Sequence, residues 1–278
     1  MKIDGTMSHF HTPAALDAPV GKLRYITGGS GSPILLLHTV RTQAEHFHRL
    51  IPLLLPHHTI YALDLPGMGY SDIVPGASYD EPQMRRGVEN FLTEMDLRDV
   101  TIIGESMGAV LALTTAANQP GRVRKVIAVN PYDFAGGLAR SSLLARFVLG
   151  GVLMPGVGPL LAGVEPKPVM RAILHGGLVD KSALTDEYLE ELLAVGRRPH
   201  YSTVARGVYA NLPSLIAARS CYIEVKADVH IVYGKDDWSR PSDRRANQAL
   251  LPSAEFVNVP AAGHFISLER PDSIAVLA

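Results

Sequence analysis

Short apolar runs alternate with helical segments along most of the chain, and this alternation restricts the fold more than any other feature of the sequence. KLRYIT (22–27), PILLLH (33–38), TIYALDL (59–65), VTIIG (100–104), VRKVIAVN (123–130), DVHIVYG (228–234) and AEFVNVP (254–260) read as strands. PILLLH is apolar without a break, as a strand buried on both faces must be. Between the strands lie helical patterns at 44–55, at 81–97 with Pro82 in the first turn, after Gly108, around 241–251 and after His264. Such alternation predicts a mostly parallel central sheet with helices on both faces. It stops over 131–226, where Gly- and Pro-punctuated helical pieces replace the β-runs. That block reads as a helical lid inserted into a core formed by 1–130 and 227–278. It is expected to lie over the C-terminal edge of the sheet, where folds of this kind place their sites.

A chain of 278 residues, 47% hydrophobic and 19% charged, can bury one sizeable core and is not a disordered polymer. With 26 Lys and Arg against 27 Asp and Glu it has no bulk field for a nucleic-acid backbone. A lone cysteine, Cys221, excludes an intramolecular disulfide and a cysteine-cluster metal site, and fits a reducing compartment. The first 21 residues contain no apolar signal-peptide region, so a cytoplasmic location is expected. Residues 143–163 are long and apolar enough to raise the question of a membrane span. Arg146, Pro155 and Pro159 interrupt them, so they read as helices folded onto a protein surface and no integral span is expected.

Gly104-Glu105-Ser106-Met107-Gly108 fits the pattern G-x-S-x-G between the strand VTII and the helical run AVLAL. A sharp strand-to-helix turn forces the middle residue into a strained conformation and presents its side chain, while the glycines let neighbouring backbone approach. A serine hydroxyl needs a base to become a nucleophile, and the base needs an acid to orient it. Asp236 and Asp237 follow the strand DVHIVYG, and His264 follows AEFVNVP, so both sit in loops at the same sheet edge as Ser106 and in the order Ser, Asp, His. Of the 11 histidines, His9, His11, His57 and His58 read as surface residues, and His46 and His48 as partly exposed. No histidine pair has the spacing of a zinc helix, and no metal or cofactor is expected.

These motifs together resemble the α/β-hydrolase superfamily over nearly the whole chain outside 131–226. Asp64-Leu65-Pro66-Gly67-Met68-Gly69-Tyr70-Ser71 matches its D-x-P-G-x-G-x-S turn, and Gly104 to Gly108 its nucleophile elbow. Gly234-Lys235-Asp236-Asp237-Trp238-Ser239-Arg240-Pro241 is similar to its acid loop, and Gly263-His264-Phe265 with Glu269-Arg270-Pro271 to its histidine loop. The resemblance implies an α/β-hydrolase fold, with Ser106 as nucleophile, His264 as base and Asp237, not Asp236, as acid. It implies an oxyanion hole from the backbone N–H groups of Val40 and Met107. Ser106 sets the chain apart from the dehalogenase and epoxide-hydrolase branches, which need a carboxylate at the elbow. Thr39 stands where the family usually has Gly after His38, so the loop is expected to differ in shape. His38, Thr39 and Arg41 are candidate substrate contacts, with solvent exposure the simpler reading for Arg41 and Gln43. The closing helix after Glu269 is shorter than the family's. An apolar lid implies a small hydrophobic substrate, and ester or lactone hydrolysis is the first expectation. Carbon–carbon bond hydrolysis, thioester hydrolysis and acyl transfer use the same triad, and a non-catalytic ligand-binding receptor uses the same fold.

Overall fold

The computed structural model describes residues 1–11 and 21–278. Its centre is one eight-stranded sheet: β1 Thr6–His11, β2 Leu23–Gly29, β3 Ser32–Leu37, β4 His58–Leu63, β5 Val100–Glu105, β6 Val123–Val129, β7 Asp228–Gly234 and β8 Glu255–Val259. The strand order is β1-β2-β4-β3-β5-β6-β7-β8. β1 pairs with β2, and β2 with β4, antiparallel; every other pairing is parallel. β1 was not legible in the sequence. It pairs along one edge only and leaves Met7 and Phe10 exposed, so no apolar run marks it.

Both faces of the parallel part are covered, which explains its uninterrupted apolar runs. Successive residues of β3 point to opposite faces: Leu35 and Leu37 join one core cluster with Phe91, Val110 and Leu113, while Ile34 and Leu36 join another with Phe47, Ile51 and Ile266. The helices Glu81–Glu94 and Met107–Asn118 cover the first face. Asp80 caps the former by accepting from Gln83 N at 3.0 Å. On the second face the expected helix at 44–55 is two pieces, a 3₁₀ turn Ala44–Phe47 and a short helix Ile51–Leu54. Pro52 occupies the first turn of the second piece, where its missing N–H costs nothing.

Register decides where the strands end. Leu37 of β3 stands opposite Gly104 of β5, Glu105 opposite Val129 of β6, and Val129 opposite Val232 of β7. Gly234 ends β7 level with Val259 of β8. Four loops therefore emerge side by side at one sheet edge: the one after β3, the turn after β5, the loop after β7 and the loop after β8.

Between β6 and β7 every regular element is a helix, including Leu143–Leu153, Lys167–His175, Asp186–Gly196 and Tyr201–Ala218. The helix Asp186–Gly196 packs Tyr188, Leu189 and Leu192 against Phe265 and Leu268. Leu143–Leu153 is apolar on both sides: Val148 and Val152 face an internal cavity, while Leu143 and Phe147 are exposed. No helix among the described residues is long and apolar enough to cross a membrane.

Candidate active site

β5 passes into the helix Met107–Asn118 with Ser106 as the only residue between them. Ser106 has φ 60° and ψ −113°, a conformation that L-residues rarely adopt. Its N–H donates to Val129 O at 2.8 Å and its carbonyl accepts from Ala109 N at 3.1 Å, so the turn is held from both sides. The glycines are required by contact. A Cβ on Gly104 would sit 2.1 Å from Gly108 O, and one on Gly108 would sit 1.9 Å from Leu37 O.

The Ser106 hydroxyl lies 2.9 Å from His264 Nε2, and His264 Nδ1 lies 2.5 Å from Asp237 Oδ1. The other Asp237 oxygen accepts the Ser239 N–H at 2.9 Å. A carboxylate can only accept, so Nδ1 carries the ring proton and Nε2 is free to accept from the serine. Burial pushes the Asp237 carboxyl up, but His264 and Ser239 together outweigh it and hold it below the ordinary value. Asp236 is exposed; its backbone N–H donates to Ala262 O at 3.0 Å, which fits a turn residue. The structure thus brings Ser106, Asp237 and His264 into one hydrogen-bonded chain and leaves Asp236 outside it.

Several residues without an assigned role in the sequence motifs hold this chain in place. Trp238 stacks on the His264 ring, with centroids 3.8 Å apart and planes 12° from parallel, and donates Nε1–H to Gly176 O at 3.1 Å. Asn130 donates to the carbonyls of Gly263 and His264, both at 3.0 Å, and accepts from Gly234 N at 3.0 Å. One side chain therefore ties the acid strand to the histidine loop. Glu269 accepts from Gly263 N at 2.7 Å and from Val179 and Asp180 N at 2.7 Å each. Nothing in the sequence distinguished Asn130, because its role exists only where three loops meet.

The loop after β3 departs from expectation. His38 is fully buried and does not line the cavity; its Nδ1–H donates to Thr39 O at 2.8 Å and its Nε2 accepts from Leu65 N at 3.0 Å. Burial holds this imidazole down at about 3, so it stays neutral as a backbone brace. Thr39, Val40 and Arg41 do line the cavity with Ser106 and His264. Met107 is buried at the first turn of the helix that starts at Ser106, beside them. Arg41 and Gln43, read as solvent-facing, are buried. Arg41 forms an ion pair with Glu165, and Gln43 donates to Glu191 at 3.4 Å, so the segment between β6 and β7 covers positions that the sequence shows only as loop. His46 is likewise buried: Nε2 bonds Glu105 and Nδ1 lies 2.9 Å from the Tyr188 hydroxyl. Asp64 anchors the loop from below, accepting from Ala44 N at 2.7 Å and Tyr70 N at 2.8 Å and pairing with Arg24 at 3.2 Å.

The cavity itself, about 110 Å³, is walled mainly by Val148, Val152, Leu161, Met170, Ile173 and Leu174. A strained serine at a strand-to-helix turn, at the C-terminal edge of a sheet of this order, is the arrangement that the sequence motifs imply. A sequence model of the alpha/beta hydrolase family matches residues 34–277. The chain belongs to the alpha/beta hydrolase family. Hydrolase chemistry comes with that membership. Over 254 residues the chain is 27% identical to a 2-hydroxy-6-oxononadienedioate/2-hydroxy-6-oxononatrienedioate hydrolase of Cupriavidus pinatubonensis, covering 88% of this chain and 84% of that one. It is 24% identical over 274 residues to haloalkane dehalogenase 2 of Mycobacterium bovis, covering 93% and 91%. Among solved structures it resembles a meta-cleavage product hydrolase from Pseudomonas fluorescens IP01, with TM-score 0.75 and 19% identity over 92% of each chain. This alpha/beta hydrolase also resembles epoxide hydrolase CorEH in fold, with TM-score 0.83 and 20% identity over 98% of this chain and 96% of that one.

Proposed function

We propose that this alpha/beta hydrolase is a serine hydrolase that cleaves a carboxylic ester or lactone through an acyl-enzyme. The observation that carries the reading is the hydrogen-bonded chain from Ser106 Oγ through both nitrogens of His264 to Asp237. His264 Nε2 takes the hydroxyl proton as Ser106 Oγ bonds to the substrate carbonyl carbon. The N–H groups of Val40 and Met107 stabilise the resulting oxyanion, and the start of the helix at Met107 adds its dipole. The carbon–oxygen bond to the leaving group then breaks, and the alkoxide leaves with the proton from His264. Water enters, gives a proton to His264 and attacks the acyl carbon, which releases the acid and restores Ser106. Asp237 keeps the imidazole in its working tautomer throughout and stabilises the imidazolium. The helices between β6 and β7 act as the lid over this chemistry, shielding the cavity from bulk solvent while the hydrolytic water is admitted.

A second reading, carbon–carbon bond hydrolysis on the same triad, is favoured by the similarity to the 2-hydroxy-6-oxononadienedioate/2-hydroxy-6-oxononatrienedioate hydrolase. The dehalogenase and epoxide-hydrolase likenesses weigh less, because Ser106 replaces the carboxylate those chemistries need. The test is a fluorophosphonate probe followed by peptide mapping. Stoichiometric labelling of Ser106, lost in Ser106→Ala, is the expected result. The same substitution is expected to cost turnover of an aryl ester on the order of 10⁶-fold with the fold intact. An unlabelled Ser106, or a variant keeping more than a few per cent of activity, overturns the covalent mechanism.

A further inference from the structure

The cavity beside Ser106 contains one buried cation, Arg41, and its surroundings specify the substrate more narrowly than the apolar walls do. Arg41 belongs to the loop after β3, one residue beyond Val40, and holds φ 62°. Its side chain is only 8% exposed. The guanidinium sits 4.7 Å from the Tyr201 ring centroid and pairs with Glu165, which comes from the helical segment after β6. The pair rests on bare backbone: a Cβ on Gly196 would lie 2.2 Å from Glu165 Oε2 and 3.2 Å from Arg41 Nη2. Arg41 and Glu165 both line the cavity that holds Ser106 and His264. Arg41 Nη1 is buried and, apart from the contact of the guanidinium with the Tyr201 side chain, makes no hydrogen bond of ordinary geometry among the described residues.

Resting on the acyl-enzyme reading above, we propose that Arg41 Nη1 is a specificity-determining donor for an uncharged substrate whose acyl part carries a second acceptor oxygen, and that Glu165 rejects substrates with a carboxylate there. A buried donor without a partner is costly, and a ligand carbonyl, ether or hydroxyl oxygen repays that cost on binding. Charge decides which acceptor suits the site. Arg41 and Glu165 leave the cavity electrically neutral. A neutral acceptor preserves that balance and uses Nη1. A carboxylate would place two anions around one guanidinium inside apolar walls, where like charges are least screened. Burial pushes the Glu165 carboxyl above its ordinary value against the pull of Arg41.

Trp238 is the only tryptophan of the chain and lines the same cavity, so its fluorescence reports occupancy without turnover. The experiment titrates the Ser106→Ala protein with phenyl 4-oxopentanoate, phenyl pentanoate and phenyl hydrogen succinate, which are close in length and differ in the terminal group. The oxo ester is expected to bind about tenfold more tightly than the plain ester, the worth of one hydrogen bond to a charged donor. The anionic ester is expected to bind more weakly than either. Adding Glu165→Gln should strengthen the anionic ester about tenfold and bring it above the plain one, because Arg41 is then an unbalanced cation. Adding Arg41→Met should abolish the advantage of the oxo ester and leave the plain ester bound. Equal binding of the two neutral esters, tightest binding of the anionic ester by the Ser106→Ala protein, an order unchanged by Glu165→Gln, or no response to any ligand each overturns the proposal. None of these readouts needs catalysis. Failure of Ser106 to label with fluorophosphonate would instead strike the acyl-enzyme reading and leave the ligand order standing.

Discussion

At Asp237 the choice between adjacent carboxylates was made by motif spacing, and its physical basis is orientation. The Asp237 side chain is fully buried and bonded to His264 at 2.5 Å, whereas Asp236 is exposed. If Asp237 fixes the tautomer of His264, Asp237→Asn removes a purely accepting partner and permits the wrong ring proton. The expected loss in kcat/KM for an aryl ester is on the order of 10⁴-fold, the size seen for the same change in a comparable triad. Asp236→Asn should stay close to wild type. Similar losses in the two variants, or the reverse order, would move the acid role away from Asp237. His46 illustrates the opposite situation. Its sequence surroundings suggest a half-exposed helix residue, yet it is sealed between Glu105 and Tyr188, residues 59 and 142 positions away. No local pattern encodes a partner so distant.

The elements meet at distances that only hydrogen-sized side chains allow. The helix beginning at Met107 crosses the end of β3 so closely that a Cβ on Gly108 would be 1.9 Å from Leu37 O and 2.7 Å from His38 O. Both neighbours are backbone, so nothing can rotate aside. Gly108→Ala should therefore push the helix off the sheet and destabilise the fold by about 3 kcal/mol, the upper part of the range for overpacking. Chemical denaturation measures this, and a midpoint equal to that of wild type would show that the approach is looser than described. The same crossing explains the legibility of the elbow. Two glycines at fixed spacing between an apolar strand and an apolar helix are a local signal of a tertiary contact. The piece after β3 was less legible. AEHFHRLIPLLL satisfies helical spacing, but Asp64 captures the Ala44 N–H and Pro52 starts a new helical turn, so the chain forms two short segments in place of one helix.

For the whole molecule, one buried carboxylate ties stability to pH. Asp133, in the loop after β6, accepts from Tyr222 Oη at 3.1 Å and Asn247 Nδ2 at 2.8 Å through one oxygen, while Oδ1 is buried without a hydrogen-bond partner. Burial pushes its pKa from 3.8 up to about 6 against the pull of Asn247, Arg219 and Tyr222. Between those values the folded chain keeps a proton that the unfolded chain has released, so this group's contribution to stability falls as pH rises and is fully lost above about 6. A shift of this size corresponds to about 3 kcal/mol. Asp133→Asn removes the titration while keeping the shape. Stability measured by chemical denaturation should therefore drop more in wild type than in the variant on going from pH 4 to pH 7. Parallel curves for the two proteins would mean that Asp133 titrates normally.

The sheet-and-helix layering, the helical block between β6 and β7 and the placing of Ser106, Asp237 and His264 at one sheet edge were legible in the sequence. Each of these is written in local terms: apolar periodicity, turn glycines, and residues placed at strand ends whose direction the parallel sheet already sets. The loop after β3 takes its form from contacts across the fold. Such contacts turn His38 inward as a neutral brace, bury Arg41 against Glu165, and give Asn130 three partners from two loops. These are encounters between segments far apart in the chain. Their energies depend on burial and on the charge across the gap, neither of which is a property of any residue's neighbours in sequence.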